Sequence, residues 1–232
     1  MNAIVEKLLG KIIISCQAYE DTPLFGSENM KIMAQSALLG GASGIRACWP
    51  QDVRAIRELG DFPIIGINKI FNPNLDTKDY IFITPTLELA SEVIEAGADI
   101  VALDCTLRPF RDKEDLYKLL KSIKDKHPEI AIMADIRTIE EGVFVAETGL
   151  VDIVATTLSS SAMDEPKVDD ELVKELKKRI NVPINAEGAI WDLYDLQKVI
   201  EAGADMITIG TAVTRPHLVT ERFVNFNRKL RG

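Results

Sequence analysis

Residues 182–216 read VPINAEGAIWDLYDLQKVIEAGADMITIGTAVTRP. Two short apolar runs, 183–186 and 206–209, are each followed by a glycine: Glu187-Gly188 after the first, Gly210-Thr211 after the second. An acidic amphipathic segment separates them. A buried parallel strand that ends near glycine and hands over to a helix leaves unpaired backbone N–H groups at its carboxyl end, and such groups bind phosphate well. In a (β/α)8 barrel, the loops after strands 7 and 8 are where phosphate usually sits. The competing reading of these glycines is a pair of tight turns.

Working outward, the phrase EAGADMITIG (201–210) recurs as GGASGIRA (40–47), EAGADIVALD (95–104) and ETGLVDIVATT (147–157). The glycines Gly41, Gly97, Gly149 and Gly203 are 56, 52 and 54 residues apart. A second phrase, with proline ahead of a strand, alternates with the first: DFPIIGINK, KHPEIAIMAD and NVPINAEG. Half the spacing is about 27 residues, the size of one βα unit. Counted from the β-branched run KIIISCQ (11–17), the chain holds eight such units. Helices are expected at 27–39, 51–59, 87–96, 113–126, 139–148, 169–179, 193–202 and from about 216. Near-continuous apolar strands alternating with helices make a parallel sheet covered on both faces. The expected fold is a single (β/α)8 TIM barrel of eight parallel strands, one domain over 1–232. A doubly wound open sheet is the alternative, and would not need so regular a count. YIFIT (80–84) looks like a strand but has no room for a helix before it, so it is expected as an extension inside the third βα loop.

The bulk composition narrows the function. The chain has 232 residues, 47% of them hydrophobic and 27% charged, with a formal net charge of −9. That charge argues against nucleic acid and anionic membrane as partners. Cys16, Cys48 and Cys105 form no C-x-x-C, and His127 and His217 are the two histidines, so neither a disulfide framework nor a histidine zinc site is expected. With no signal-peptide core at 1–10 and no apolar run near 18 residues, the expected location is cytoplasmic.

Barrel enzymes carry their chemistry at the carboxyl ends of strands. Those ends hold Gln17, Arg46, Lys69, Asp104, Asp135, Thr156-Thr157, Glu187 and Gly210. Lys69 follows PIIGIN directly. Burial of an amine favours its neutral form, which makes a lysine at such a place a candidate base or nucleophile; the plainer reading is an ion pair with Glu187 or Asp135. Asp135 and Glu187 can hold the lysine or move a proton. Arg46 and Arg215 can grip an anion bidentately. Gly188, Gly210 and Thr211, with Arg215 nearby, are the expected phosphate site, and Thr157 is expected as a substrate contact. The serines 159–161 are a polar loop rather than part of a Ser-His-Asp triad, because neither histidine ends a strand. No metal site is assigned, Asp104 having no second ligand at metal spacing. G-x-G-x-x-G is absent, and no cofactor is expected.

The phrases SCQAYEDTPL (15–24), GGASGIRA (40–47), GINK (66–69), FITPT (82–86), LDCTLRP (103–109), MADIRTIEEG (133–142), ATTLS (155–159), NAEG (185–188) and IGTAVTRP (209–216) resemble, in order and over nearly the whole chain, the N-acetylmannosamine-6-phosphate 2-epimerases. The resemblance implies a metal-free isomerase that converts N-acetylmannosamine 6-phosphate to N-acetylglucosamine 6-phosphate in sialic acid breakdown. It implies Lys69 as acid/base, Asp135 and Glu187 supporting it, Gln17 and Arg46 on the sugar, and the glycines with Arg215 on the phosphate. The chain departs from the family's usual pattern at Leu107, at Ser160-Ser161 and at Ala189, positions that bear on substrate preference more than on reaction type. The physical demand agrees: C2 of the open-chain sugar is α to an aldehyde, so a base, an oxyanion partner and a phosphate grip suffice. A Schiff-base aldolase acting through Lys69 and a phosphosugar-binding barrel without turnover are the rival readings. The expected assembly is a homodimer.

Overall fold

The computed structural model describes residues 1–160 and 166–232. Eight parallel strands close into one barrel in the order β1-β2-β3-β4-β5-β6-β7-β8, each hydrogen-bonded to the next in sequence and β8 to β1. They are β1 (Ile12–Cys16), β2 (Gly44–Cys48), β3 (Ile64–Ile67), β4 (Ile100–Asp104), β5 (Ala131–Asp135), β6 (Ile153–Ala155), β7 (Ile184–Glu187) and β8 (Met206–Ile209). The helices are α1 (Ala3–Glu6), α2 (Ser27–Leu39), α3 (Pro50–Arg57), α4 (Leu87–Glu95), α5 (Lys113–Lys126), α6 (Ile139–Glu147), α7 (Asp170–Lys177), α8 (Leu193–Glu201), α9 (Thr211–Thr214) and α10 (Pro216–Arg231). The fold is the (β/α)8 barrel that the alternating phrases require. No described helix is long and apolar enough to cross a membrane.

Alternation along each strand sorts the apolar side chains into two cores. Ile14, Ile45, Ile64, Val101, Ile132, Val154, Ile184 and Ile207 point outward and pack under the helices with Met30, Val93, Leu116, Val145 and Leu176. Ile13, Ile65, Ile67, Ile100, Met133, Ile153 and Met206 point inward and fill the barrel. Val5 and Leu8 join this inner core, so α1, which the sequence pattern did not suggest, closes the end of the barrel away from the strand termini. Gly66 is required by the outer layer: a Cβ there would lie 2.7 Å from that of Ala98 and 3.1 Å from that of Val93. These atoms are fixed to backbone and cannot turn aside, so β3 and α4 meet this closely only over glycine.

The repeated phrase has a shared structural task. The carboxylates of Asp99, Asp152 and Asp205 each accept a hydrogen bond, at 2.9 Å, from an N–H at the start of a neighbouring strand: Ile64, Ile132 and Ile184. Each also pairs with a cation, Arg57, Lys124 and Lys177 respectively. The glycine two residues earlier, Gly97 or Gly203, sits at positive φ (+110° and +98°) and turns the chain from helix into strand. The periodicity therefore records how the bottom of the barrel is stitched: three of the four repeats carry this aspartate, and the first has Ser43 in its place.

One local expectation changes and another holds. β2 does not end at Arg46 but runs two residues further to Cys48. The segment after β3 is indeed no barrel strand: Ile83 bridges antiparallel to Lys69, with Ile70 N–H donating to the Phe82 carbonyl at 3.0 Å and Thr84 N–H to the Asn68 carbonyl at 2.8 Å. It folds back over the end of β3 and clamps the backbone of Lys69.

Candidate active site

The inward parity that fills the barrel below with isoleucine places polar groups at its mouth. The same faces carry Gln17, Arg46, Lys69, Asp104, Asp135, Thr157, Glu187 and Gly210. Thr156 has the opposite parity. Its hydroxyl is tied to the Glu187 backbone, accepting from the N–H and donating to the carbonyl, both at 3.1 Å. Of the threonine pair, Thr157 is the one that reaches the interior.

Arg46 is 1% exposed and lies across the barrel. Its guanidinium donates to both oxygens of Asp135, at 3.0 and 2.6 Å, and to Oε2 of Glu187 at 2.7 Å. Thr157 Oγ1 donates to the same Asp135 carboxylate at 2.7 Å. Asn185 steadies the far side, donating to Glu187 at 3.4 Å while accepting from Thr208 at 2.9 Å. Burial opposes the Arg46 charge, but the two carboxylates more than offset it and raise its pKa above the ordinary value. Glu187 moves upward too, because burial and the neighbouring Asp135 charge outweigh what Arg46 and Lys69 return. Arg46 thus enters the site as the partner of two acids, with both terminal nitrogens engaged and its buried Nε without a partner among the described residues; the anion clamp suggested by sequence is not its arrangement here.

Above this network opens a cleft of about 200 Å³ whose lining includes Gln17, Lys69, Thr157, Glu187, Gly188, Trp191, Gly210, Thr211 and Arg215. Arg46 and Asp135 are not in the lining; Asp135 is fully buried beneath its floor. Lys69 does not pair with Glu187 or Asp135. Its Nζ donates to the Tyr19 hydroxyl at 2.7 Å, and its backbone carbonyl accepts from Trp49 Nε1 at 2.8 Å. Gln17 Nε2 donates to Ser15 at 2.6 Å, and its buried Oε1 has no partner among the described residues. That acceptor faces the requirement every buried polar atom has, so a hydroxyl or amide of a ligand is its natural complement. Gly188 has φ +118°, and a Cβ there would stand 2.6 Å from Ser160 Oγ. Only glycine lets that loop turn against Ser160.

The other strand-end acid leaves the site. Asp104 is fully buried and accepts from Thr106 N–H and Oγ1, at 2.8 and 2.7 Å, and from Arg111 at 3.0 Å. It organises the β4–α5 loop instead. Of the departures noted above, Ala189 lines the cleft at φ +52°, Leu107 packs on the outer core, Ser160 is buried against Gly188, and Ser161 lies outside the described residues. No group of three or more potential metal ligands occurs among the described residues. Burial pushes the Cys16 thiol up to about 12 and Cys48 up to about 11, which leaves neither a ready nucleophile.

Residue reasoning passed over Tyr19, Trp49 and Trp191. Tyr19 had a usable signal: it continues the inward series 13, 15, 17 one step past the strand. Trp49 had none, because its role depends on a backbone at φ +71°, a region a bulky residue seldom enters.

Comparison with known proteins adds an independent line. A family model described as "NanE: Putative N-acetylmannosamine-6-phosphate epimerase" matches residues 30–229. A protein of Caldanaerobacter subterraneus subsp. tengcongensis named "Putative N-acetylmannosamine-6-phosphate 2-epimerase" is 42% identical over 235 residues, covering 98% of this chain and 95% of that one. A Listeria monocytogenes protein of the same name is 39% identical over 234 residues, covering 99% of each. A solved structure of the N-acetylmannosamine-6-phosphate 2-epimerase from Clostridium perfringens superposes with a TM-score of 0.85 at 35% identity, over 96% of both chains.

The buried network makes a stability prediction. Arg46→Met leaves two carboxylates in the barrel without their cation, and we expect a loss of about 3–5 kcal/mol in urea unfolding. Arg46→Lys should recover only part of it, because a single ammonium cannot fork onto one acid while holding the other. A loss below about 1 kcal/mol would show that Arg46 is not what compensates these acids.

Proposed function

The chain belongs to the N-acetylmannosamine-6-phosphate epimerase family, and from that premise we propose that it inverts C2 of N-acetylmannosamine 6-phosphate to give N-acetylglucosamine 6-phosphate, as a step of amino-sugar and sialic acid catabolism. The observation that carries the reading is the state of Lys69. Its amine lines the cleft and has no carboxylate within salt-bridge distance among the described residues, while both nearby acids are held by Arg46. A lysine locked to Glu187 would be structural. One whose side-chain hydrogen bond goes to a phenol can turn to substrate and take the C2 proton.

Proton removal puts charge on the sugar's C1 oxygen. Glu187 lines the same cleft, with burial raising its pKa, and we assign it the proton exchange with that oxygen. Asp135, charge-compensated below the floor, acts through Arg46 by fixing the Glu187 carboxylate. Gln17 offers its unpartnered Oε1 to a sugar hydroxyl or the amide. Gly188, Gly210, Thr211 and Arg215 all line the cleft and are assigned the 6-phosphate.

The homodimer reading is supported by α10. No residue of that helix is buried, and Phe223, Phe226 and Leu230 are 71%, 62% and 71% exposed. Apolar surface of this kind calls for cover by protein, and we assign a second copy of the chain. Light scattering should give twice the 25.7 kDa chain mass, and Phe223→Glu with Phe226→Glu should halve it; a wild-type mass of one chain would remove this reading.

The phosphate assignment predicts that free N-acetylmannosamine is a poor substrate. Equal kcat/KM for free and phosphorylated sugar would refute it. The base assignment predicts that Lys69→Met loses about 10²–10⁴-fold in kcat, or more, while substrate affinity changes little. A proton NMR time course in heavy water should show solvent deuterium at C2 of the product. Near wild-type kcat in Lys69→Met, or no exchange at C2, would end the enolate mechanism. A borohydride-trapped adduct on Lys69 would favour the aldolase instead, and binding without turnover the non-catalytic barrel.

A further inference from the structure

Tyr19 stands where the two sides of the candidate base meet. Its hydroxyl, 2.7 Å from Lys69 Nζ, is the amine's hydrogen-bond partner. Two cations flank the ring: Nζ of Lys69 is 5.2 Å from its centroid, and the Arg215 guanidinium is 4.7 Å away. Edge-on contacts from Phe71 at 5.3 Å and Trp49 at 6.2 Å, both at 78°, restrain the ring. Trp49 is itself tied to the Lys69 carbonyl, so one aromatic group holds the lysine backbone and its neighbour holds the amine. Lys69 lines the cleft that takes the substrate. Tyr19 lines a small gap shared with the cleft residues Gln17, Thr214 and Arg215, and also an outer groove with Glu20, Asp21, Trp49, Phe71 and Tyr80.

We propose that Tyr19 is a positioning residue for the Lys69 amine and also the relay through which that amine exchanges its proton with water in the outer groove. The inference rests on the epimerase reading of the cleft. The charged and titratable groups acting on the phenol are Lys69, Arg215 and the Cys48 thiol. Burial raises its pKa, but the two cations and the Lys69 hydrogen bond more than offset this, and the phenol lies below its ordinary value. A phenol so placed gives up and regains a proton more readily than a free tyrosine.

The step balances without any added reagent. The C2–H bond breaks and an N–H bond forms on Lys69, leaving an enolate and an ammonium. One ammonium N–H then breaks as an O–H forms on Tyr19, while the phenol's own O–H proton passes to water in the groove. The reverse hops bring a solvent proton back to the amine, which delivers it to C2. Net charge is unchanged, and the exchange uses only water.

The test is the fate of the C2 hydrogen in Tyr19→Phe, which keeps the ring and its aromatic contacts. Wild-type enzyme and variant are run in heavy water on protiated substrate, and C2 deuterium is read in the product at low conversion. The variant should lose roughly 10-fold or more in kcat with KM within about threefold. It should also return more of the substrate's own protium to C2, because the ammonium then exchanges more slowly than it reprotonates carbon. A purely structural role would lower kcat and leave that isotopic partition unmoved. Tyr19→His, which restores a proton-carrying group, should recover exchange relative to Tyr19→Leu. Should Tyr19→Phe fail to fold by circular dichroism, the His and Leu pair decides. Wild-type deuterium content in Tyr19→Phe, or equal content in His and Leu, overturns the relay. Failure of the wild type itself to epimerise overturns the epimerase reading and this inference with it.

Discussion

Three strands of the barrel are joined through one buried guanidinium. Arg46 from β2 meets Asp135 from β5 and Glu187 from β7 across the barrel interior, at 2.6 to 3.0 Å. The cost of burying three charged groups is recovered only when each finds its counter-charge in good geometry. That constraint reaches far beyond the three residues. It fixes which face of β2, β5 and β7 turns inward, and it requires the closed barrel that brings strands 89 and 141 residues apart in sequence into contact. It also decides what is left over: with both acids engaged, Lys69 is the amine that stays available to the cleft.

The availability of Lys69 has its own structural cause. Its backbone is gripped on one side by the Ile83 bridge and on the other by Trp49 Nε1, while its side chain extends to Tyr19. Of the three non-glycine residues at positive φ among the described residues, Trp49 and Thr84 are within this grip, and Ala189 lines the cleft. Backbone held in sparsely populated regions persists where surrounding contacts over-determine it, and such positions gather at functional sites. Here the reason can be named: the loop must fold back on β3 to hold a lysine that no carboxylate holds.

The lower half of the barrel shows the opposite economy. Asp99, Asp152 and Asp205 repeat one hydrogen-bonding task at equivalent positions. Such a device serves any barrel of this class, whatever its chemistry. Repetition below and singular contacts above match the division in which strand amino ends carry stability and carboxyl ends carry function.

Much of this was legible in the chain. Eight strands, their order and their inward faces follow from period-two alternation and a repeat of about 54 residues, because burial on both sides of a parallel sheet leaves little choice of register. That Gln17, Lys69, Glu187 and Gly210 share one mouth follows from the same parity. Pairing across the barrel does not. Whether Arg46 grips an anion or two acids, whether Asp104 faces the cleft or Arg111, and whether Lys69 meets a carboxylate or a phenol are decided by distances of a few ångströms between residues far apart in sequence. Periodicity sets the direction in which a side chain leaves its strand. Only the closed barrel sets what it meets, because the energy of a buried charge depends on where its counter-charge stands.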